Sequence, residues 1–268
     1  MTLIAEANGA QVHLAPWQEL GAVVGECDAV IVDAPYSIKT HAGHFAGTTA
    51  SGSADPEWCK RRGYDDKVAR RRPLSYGAWT PADVSAFVAD WSPRCRGWMV
   101  SITDDVLAHD WQRAYQQAGR YAFAPLPFLE LGKQPRLTGD GPASWTCWIM
   151  VSRPKSVAYS RWGSLDGGYA TTDKDQDRIP GGKPIALMER LVLAYSRPGD
   201  LVVDPCCGAG TTLVAAIRHG RRATGGDIDP THAGLAAQWI ANPHRRAPGI
   251  ERDNAGGSQP SLFTTETP

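Results

Sequence analysis

Two short segments of the chain place acidic, aromatic and glycine residues directly after apolar strands. Residues 201–212 read LVVDPCCGAGTT, in which Asp204 closes an apolar run and a turn with two glycines leads into a helix. A second short strand, residues 221–227, ends on Asp227. Because the carboxyl ends of parallel strands meet at one edge of a sheet, this pattern predicts a nucleotide-type pocket there.

The second segment is DAPYS, which follows the apolar run of residues 29–32. Asp33 stands where a parallel strand delivers side chains to the ligand crevice, and Pro35 fixes the turn so that Tyr36 points in a defined direction. An isolated Asp-Pro turn after a strand is usually structural. Its pairing with the glycine stretch favours a functional interpretation.

A nicotinamide cofactor is one candidate for the pocket, since an acid after the second strand could hold ribose hydroxyls. The dinucleotide fingerprint GxGxxG requires a third small residue, whereas this chain has Leu213 at that position. The glycine spacing alone does not choose the ligand.

Four segments resemble motifs of the amino-group DNA methyltransferases. DPCCGAGTT and GGDIDP resemble the cofactor motifs DPFxGxGTT and GxE/DxDP, DAPYS resembles [DNS]PP[YFW], and GGKPIALMERLV resembles xKPxxLMxRLI. With the strands between them, the resemblance covers most of residues 10–240. The catalytic motif precedes the cofactor motif, as in the β group of that family.

The resemblance implies an α/β fold: a seven-stranded, doubly wound, Rossmann-like methyltransferase sheet with circularly permuted motif order. It also implies S-adenosylmethionine (SAM) as cofactor. The residues expected to bind SAM are Asp204, Cys206, Gly208, Gly210, Thr211, Thr212, Asp227, Lys183 and Pro184. The chain departs from the family pattern in having Ala34 for proline and Cys206 for phenylalanine, and in lacking Gly-Asp near Ala15 and Pro16.

The same resemblance makes Asp33, Ala34, Pro35 and Tyr36 the catalytic residues. The Asp33 carboxylate and the Ala34 carbonyl can accept the two hydrogens of an exocyclic amino group, which localises the nitrogen lone pair. Tyr36 can stack on a base flipped out of the duplex.

Aspartate at the first motif position is typical of adenine-N6 enzymes, so we expect N6-adenine methylation of DNA. Cytosine-N4 methylation is the alternative. Two further alternatives are a non-catalytic nucleic-acid-binding protein on the same scaffold and an enzyme that acts on RNA or a protein side chain.

Residues 38–79 form a polar, glycine-rich insert directly after DAPY, in which basic residues alternate with aromatic ones. This composition suits phosphate contact and base stacking, although it also fits a solvated surface loop. We expect a mobile DNA-contacting loop. Its candidate DNA contacts are Lys60, Arg61, Arg62, Arg70, Arg71 and Arg72.

Outside these motifs, residues 155–182, with Arg161, are predicted to be a small target-recognition region, which would suit a short or relaxed target sequence. Residues 1–240 should form one catalytic domain, and residues 241–268 a disordered tail. Whether the protein is a monomer or a homodimer is left open.

The overall composition limits the class of protein. The chain has 268 residues, with 28 basic and 28 acidic side chains, so any basic surface for DNA must be local. No apolar run is long enough to span a membrane and the N-terminus does not resemble a signal peptide, which predicts a soluble, cytoplasmic protein.

The cysteines and histidines suggest neither a disulfide framework nor a metal site. The six cysteines show no regular spacing, so we expect reduced thiols. Cytosine-carbon methylation uses a cysteine, but Cys206 and Cys207 lie in the cofactor turn, where packing against SAM is the expected role. His41, His44 and Cys59 lack zinc-ligand spacing, and no metal is predicted.

Overall fold

The computed structural model describes residues 1–41, 76–132, 142–172, 179 and 181–244. Its strands are β1 (Thr2–Ala7), β2 (Ala10–Leu14), β3 (Cys27–Asp33), β4 (Cys95–Thr103), β5 (Tyr121–Ala122), β6 (Leu126–Glu130), β7 (Thr146–Arg153), β8 (Tyr169–Thr171), β9 (Leu201–Asp204) and β10 (Arg222–Asp227). Its helices are α1 (Trp17–Val24), α2 (Pro81–Trp91), α3 (Ala108–Gln117), α4 (Val157–Ser160), α5 (Ile185–Tyr195), α6 (Thr211–Arg218) and α7 (Pro230–Ala241).

The strands form one mixed sheet in the order β1-β2-β10-β9-β3-β4-β7-β6-β8, and β5 pairs with β7. The strands from β2 to β4 in this order run parallel, whereas β7 is antiparallel to both β4 and β6. The seven predicted strands are the run from β2 to β6. In the described part of the chain, β1, β5 and β8 are additional to them.

Two of the additional strands have local causes. Asn8 and Gly9 have φ values of +50° and +80°, as a tight hairpin turn requires, and this turn joins β1 to β2. The extended segment at residues 121–130 is divided into β5 and β6. Pro125 lies between the two parts and has no N–H to donate to a neighbouring strand.

Helices cover both faces of the sheet, which confirms the α/β class. On one face, α5, α6 and α7 pack through residues such as Leu191, Leu213 and Trp239. On the other face, α1, α2 and α3 pack through residues such as Leu20, Phe87 and Trp111. Each helix buries one apolar stripe against the strands between them.

The helix starts follow local sequence signals in some cases and not in others. Thr80 and Asp83 form a reciprocal capping box at the start of α2, with Pro81 in the first turn, as expected. Trp17 begins α1 without a side-chain cap. Pro16 occupies the N-cap of α1 in an extended conformation.

The topology creates a crevice between β9 and β3. From β9 the chain passes through α6 to β10 on one side, whereas β4, the next long strand after β3, lies on the other side. β9 and β3 are parallel neighbours. Their carboxyl ends therefore flank the point at which strand order reverses, where open α/β sheets bind ligands.

Candidate active site

Three acids stand on adjacent strands at this edge. Val30 is in register with Val203, so Asp204 is level with Ile31 and Asp33 lies two residues further along β3. Asp204 is also in register with Gly225, so Asp227 lies two residues further along β10. Asp204 is thus recessed between two acids that project roughly 7 Å beyond it.

Asp33 is held by two side chains of this protein. Lys183 Nζ lies 2.9 Å from Asp33 Oδ2, and the Tyr36 hydroxyl donates to Asp33 Oδ1 over 3.1 Å. Lys183 Nζ also lies 5.0 Å from the centroid of the Tyr36 ring. Lys183 is buried and Asp33 is partly buried. The sequence motifs placed Lys183 beside the cofactor, whereas in the fold its ammonium contacts Asp33.

The charges of this pair depend on each other. Burial raises the pKa of the Asp33 carboxyl above its ordinary value, although the Lys183 ammonium and the Tyr36 hydroxyl counteract part of that effect. Burial alone would lower the pKa of Lys183, but the Asp33 carboxylate raises it above its ordinary value. Lys183 is therefore a stable cation.

The segment after Asp33 is anchored by Asp104, which sequence reasoning missed. Asp104 Oδ2 accepts hydrogen bonds from the Ser37 amide at 3.0 Å, the Ser37 hydroxyl at 2.5 Å and the Thr40 hydroxyl at 2.6 Å. Asp104 Oδ1 accepts from the Leu107 amide at 3.1 Å. Burial alone would raise the pKa of Asp104, but these hydrogen bonds hold it below its ordinary value.

The predicted insert, residues 38–79, begins and ends next to the DAPYS motif. The Trp79 amide donates to the Tyr36 carbonyl at 2.9 Å, and Ser37 pairs with Trp79 in a parallel bridge. The six predicted basic DNA contacts between Lys60 and Arg72 lie outside the described residues. The described base of the insert is thus tied to Tyr36.

The glycine turn after β9 has the backbone geometry that only glycine adopts readily. Gly208 and Gly210 have φ values of +53° and +86°. A Cβ at Gly208 would lie 2.7 Å from Ile179 Cδ1, and a Cβ at Gly210 would lie 2.9 Å from Ala236 Cβ. Thr211 then begins α6, as predicted.

Asp227 joins this turn to β10. Its Oδ2 accepts from the Gly208 amide at 2.9 Å, and its Oδ1 accepts from the Asp229 amide at 2.8 Å. His232 Nδ1 lies 3.5 Å from the same Oδ1. Burial alone would lower the pKa of His232, but Asp227 raises it above the ordinary value.

Asp204 lies beneath the same turn. It is 2% exposed and accepts hydrogen bonds from the Thr212 hydroxyl and from the Cys206 amide, the latter at 3.1 Å. Burial raises the pKa of Asp204 to about 7, and the nearby Asp33 and Asp227 carboxylates contribute to the increase. This acid therefore changes charge near neutral pH.

The paired cysteines of the turn lie in surroundings that favour the neutral thiol. Burial, followed by the neighbouring Asp204 and Asp227 carboxylates, raises the pKa of both the Cys206 and the Cys207 thiol well above the ordinary value. Cys207 packs beneath the turn, where its Cβ lies 2.8 Å from the position that a Cβ on Gly225 would take.

Leu213 fills the position at which a dinucleotide fingerprint has its third small residue. It is fully buried, and its Cδ1 lies 2.8 Å from the position that a Cβ on Gly225 would take. The close approach of α6 to β10 is therefore made possible by a glycine on the strand rather than on the helix.

Sequence reasoning also missed Cys147 and Glu130, which lie near Tyr36, and it marked Tyr76 only as one of the aromatic residues of the insert. Cys147 Sγ lies 3.5 Å from the Tyr36 hydroxyl and 4.0 Å from Glu130 Oε2. Tyr76 packs edge-on against His41. Burial raises the pKa of Tyr76 to about 12, followed by a contribution from Asp33. No sequence motif marks these residues, because the fold alone brings them to this edge.

The structure does not bring Arg161 to Asp33. Its neighbours Tyr159 and Trp162 pack on Trp98, which is in register with Ala29 near the start of β3. The Trp162 indole donates to the Ala194 carbonyl at the last turn of α5, whereas Lys183 lies before the first turn. Arg161 therefore lies towards the amino ends of the strands, at the opposite edge from Asp33.

The described residues contain neither a cluster of metal ligands nor a membrane-spanning helix. Within residues 1–41, 76–132, 142–172, 179 and 181–244, no group of three or more histidine, cysteine or acidic side chains could hold a metal ion. In the same part of the chain, no helix is long and apolar enough to cross a bilayer.

Known proteins match part of the sequence and most of the fold. Residues 146–238 match the N6/N4 methyltransferase family model, described as DNA methylase. The chain is 44% identical over 68 residues to the type II methyltransferase M2.DpnII of Streptococcus pneumoniae, and 48% identical over 55 residues to the DNA adenine methyltransferase YhdJ of Escherichia coli K12. These matches cover 25% and 20% of this chain, and 25% and 19% of those relatives.

A solved structure extends the likeness to the whole sheet. The complex of M1.HpyAVI with SAM superposes with a TM-score of 0.59 at 16% identity, over 87% of this chain and 99% of that one. An identity this low shows a shared fold and no more. Residues 146–238 therefore match the DNA methylase family model in sequence, and 87% of the chain shares the fold of M1.HpyAVI.

Proposed function

We propose that this protein transfers a methyl group from SAM to the N6 amino group of adenine in DNA. The observation that carries the proposal is the adjacency of β3 and β9, because Asp33 and the glycine turn then meet at one switch point. YhdJ is named as a DNA adenine methyltransferase, and its similarity to this chain favours adenine.

The residues at this edge fit SAM, which supplies an electrophilic methyl group on a cationic sulfonium. The carboxyl groups of Asp33, Asp204 and Asp227 converge at this edge and would offer acceptor oxygens to the amino and hydroxyl groups of SAM. The positive φ angles of the turn leave its backbone bare for close approach. The residues proposed to hold SAM are Asp204, Cys206, Gly208, Gly210, Thr211, Thr212, Pro184 and Asp227.

Asp33 and Ala34 would orient the target amino group. A carboxylate has about four lone-pair positions. Lys183 and Tyr36 take two of those on Asp33, so positions remain for an amino hydrogen of the base. The Ala34 carbonyl would accept the second hydrogen, and the nitrogen lone pair would then face the methyl donor. Methyl transfer would break the S–CH3 bond of SAM, leaving the electron pair on the sulfur, as the N–C bond forms. The nitrogen would then lose one proton, which the Asp33 carboxylate would accept.

Tyr36 would hold the flipped base by stacking. Its hydroxyl is fixed by Asp33 and its backbone carbonyl by the Trp79 amide, so the ring is held in one orientation. Stacking contributes roughly 1 to 3 kcal/mol per base, which offsets part of the cost of flipping. The basic insert, both ends of which lie at Tyr36, is proposed to contact the DNA backbone.

The experiment incubates the protein with labelled SAM and unmethylated DNA, followed by digestion and mass spectrometry of the nucleosides. We expect N6-methyladenine, and none with Asp33→Ala. N4-methylcytosine would replace the adenine assignment with the cytosine one. Parallel samples with RNA and with a protein extract identify another substrate class, and unmodified DNA under all conditions would refute the proposal.

A further inference from the structure

We infer that Lys183 is a positioning residue that acts through Asp33 and is not a ligand of SAM. This inference rests on the methyl transfer proposed above. It revises the role that the sequence motifs imply for Lys183, which was placed beside the cofactor together with Pro184.

The contacts of the Lys183 ammonium support this inference. Lys183 Nζ lies 2.9 Å from Asp33 Oδ2 and 2.9 Å from the Gly181 carbonyl, and it faces the Tyr36 ring at 5.0 Å. An ammonium has three N–H donors, and these three groups surround it. The Lys183 side chain is 6% exposed, so little of it is free for another ligand.

Within the described part of the chain, Lys183 offsets the effect of the acidic side chains near Asp33. Glu130, buried at the end of β6, raises the pKa of Asp33, and Asp204 lies on the adjacent strand. The Tyr36 hydroxyl donates a neutral hydrogen bond, and the phenol of Tyr76 approaches from the insert. A protonated Asp33 would lose acceptor capacity towards the base amino group, whereas an ammonium at 2.9 Å favours the carboxylate.

The loop geometry shows how Lys183 is held in place. Gly181 has a φ value of +83°, and its carbonyl accepts from the Lys183 ammonium two residues later. Pro184 then occupies the N-cap of α5. The loop therefore folds back on the lysine stem and directs the ammonium towards β3.

The test compares Lys183→Gln and Lys183→Arg with the natural protein in the pH dependence of kcat. Loss of the cation raises the pKa of Asp33, so the acidic limb of the Gln variant should move to higher pH by one unit or more. The Arg variant should restore most of the natural profile. The Kd for SAM, measured calorimetrically without DNA, should change less than twofold in both variants.

Several controls keep the outcomes distinct. Arg96→Gln removes a cation from Asp28 at the opposite sheet edge and should leave the profile unchanged. If Lys183→Gln does not fold, Lys183→Met keeps a stem of similar length and replaces it. A tenfold rise in the Kd for SAM with an unmoved acidic limb would make Lys183 a cofactor ligand and overturn the inference.

A second readout does not depend on catalysis. Carbon-13 NMR of the Asp33 carboxyl should show a higher titration midpoint in the Gln variant than in the natural protein. If the natural protein methylates nothing, the proposed function fails while this titration still tests the Asp33–Lys183 relationship. Equal midpoints in the two proteins would refute it.

Discussion

The backbone amide of Gly208 donates a hydrogen bond to the Asp227 carboxylate over 2.9 Å. This bond ties the turn after β9 to the end of β10, so the two cofactor motifs found in the sequence form one structural unit. Asp227 therefore shapes the turn in addition to its proposed contact with the ribose of SAM.

Asp227→Asn should weaken both the turn and SAM binding. The amide retains one acceptor oxygen and places an NH2 group against a backbone N–H. We expect about 1 to 3 kcal/mol of lost stability in urea denaturation and at least a tenfold rise in the Kd for SAM. Asp200→Asn is the matched control, since Asp200 accepts from the Arg197 amide at 2.7 Å outside the site. It should leave the Kd unchanged.

Gly210→Ala should destabilise the fold through both strain and collision. A left-handed φ costs a residue with a Cβ about 1 to 2 kcal/mol, and crowding against Ala236 adds about 1 to 3 kcal/mol. Gly220→Ala has a similar φ of +74° with no atom within 4 Å of the new Cβ, so it measures strain alone. If urea denaturation showed that both variants lose the same free energy of unfolding, the predicted contact between the new Cβ at position 210 and Ala236 would be contradicted.

Asp204 should make stability and SAM affinity depend on pH. Its pKa of about 7 lies above that of an unfolded aspartate, so the folded state binds the extra proton. The contribution of this proton to the free energy of unfolding is fully present below about pH 4. It decreases as the pH rises and is lost above about pH 7, with a slope on the order of 1 kcal/mol per pH unit. SAM affinity should increase over the same rise, because the carboxylate ionises. Thermal unfolding and calorimetry of Asp204→Asn should lack both trends.

Asp104→Asn should slow methyl transfer without weakening SAM binding. The substitution disturbs the hydrogen bonds that fix Ser37 and Thr40, so the preceding catalytic segment shifts, and a displacement near 1 Å can cost about 100-fold in rate. We expect the rate constant of methyl transfer, measured in single-turnover assays, to fall by about 10- to 100-fold. Asp105→Asn breaks only an exposed pair with Lys39 and should behave like the natural protein. A loss of SAM affinity in Asp104→Asn would point to wider disruption.

Replacement of Arg70, Arg71 and Arg72 by alanine should weaken DNA binding and reduce its salt dependence. Each lost phosphate contact lowers the slope of log K against log salt by about one. Fluorescence anisotropy across a salt series measures that slope. Arg161→Ala should leave it unchanged, because the residues around Arg161 lie at the opposite sheet edge. An equal effect of both changes would assign Arg161 to the DNA surface.

The sequence predicted those features that depend on strand ends. Asp33, Asp204 and Asp227 each close a strand that the sequence predicts, and parallel strands carry such ends to one edge, so their convergence followed from the pattern. Asp104 directly follows the parallel strand β4, so the same pattern could have marked it, but its contacts with Ser37 and Thr40 depend on the pairing of β3 with β4. Glu130 reaches the edge on β6, which runs antiparallel to β7. The β-group permutation remains a prediction from motif order.

The positions of the two cationic residues show a further limit. The sequence motifs associated Lys183 with the cofactor, but the sequence could not tell whether its ammonium faced the cofactor or Asp33, because both lie within reach of one loop. Arg161 lies 22 residues before Lys183 in the chain. Its neighbours Tyr159 and Trp162 pack on Trp98, and that packing sets its place at the far edge.

The bond between the Trp79 amide and the Tyr36 carbonyl makes the insert exchangeable. Because its two ends are already joined, the entropy of closing the loop grows only slowly with length, by about 0.6 kcal/mol for each doubling. Inserts of different length and composition can therefore replace one another on an unchanged sheet. DNA contacts could be redesigned at this position while Asp33 and the glycine turn remain as they are.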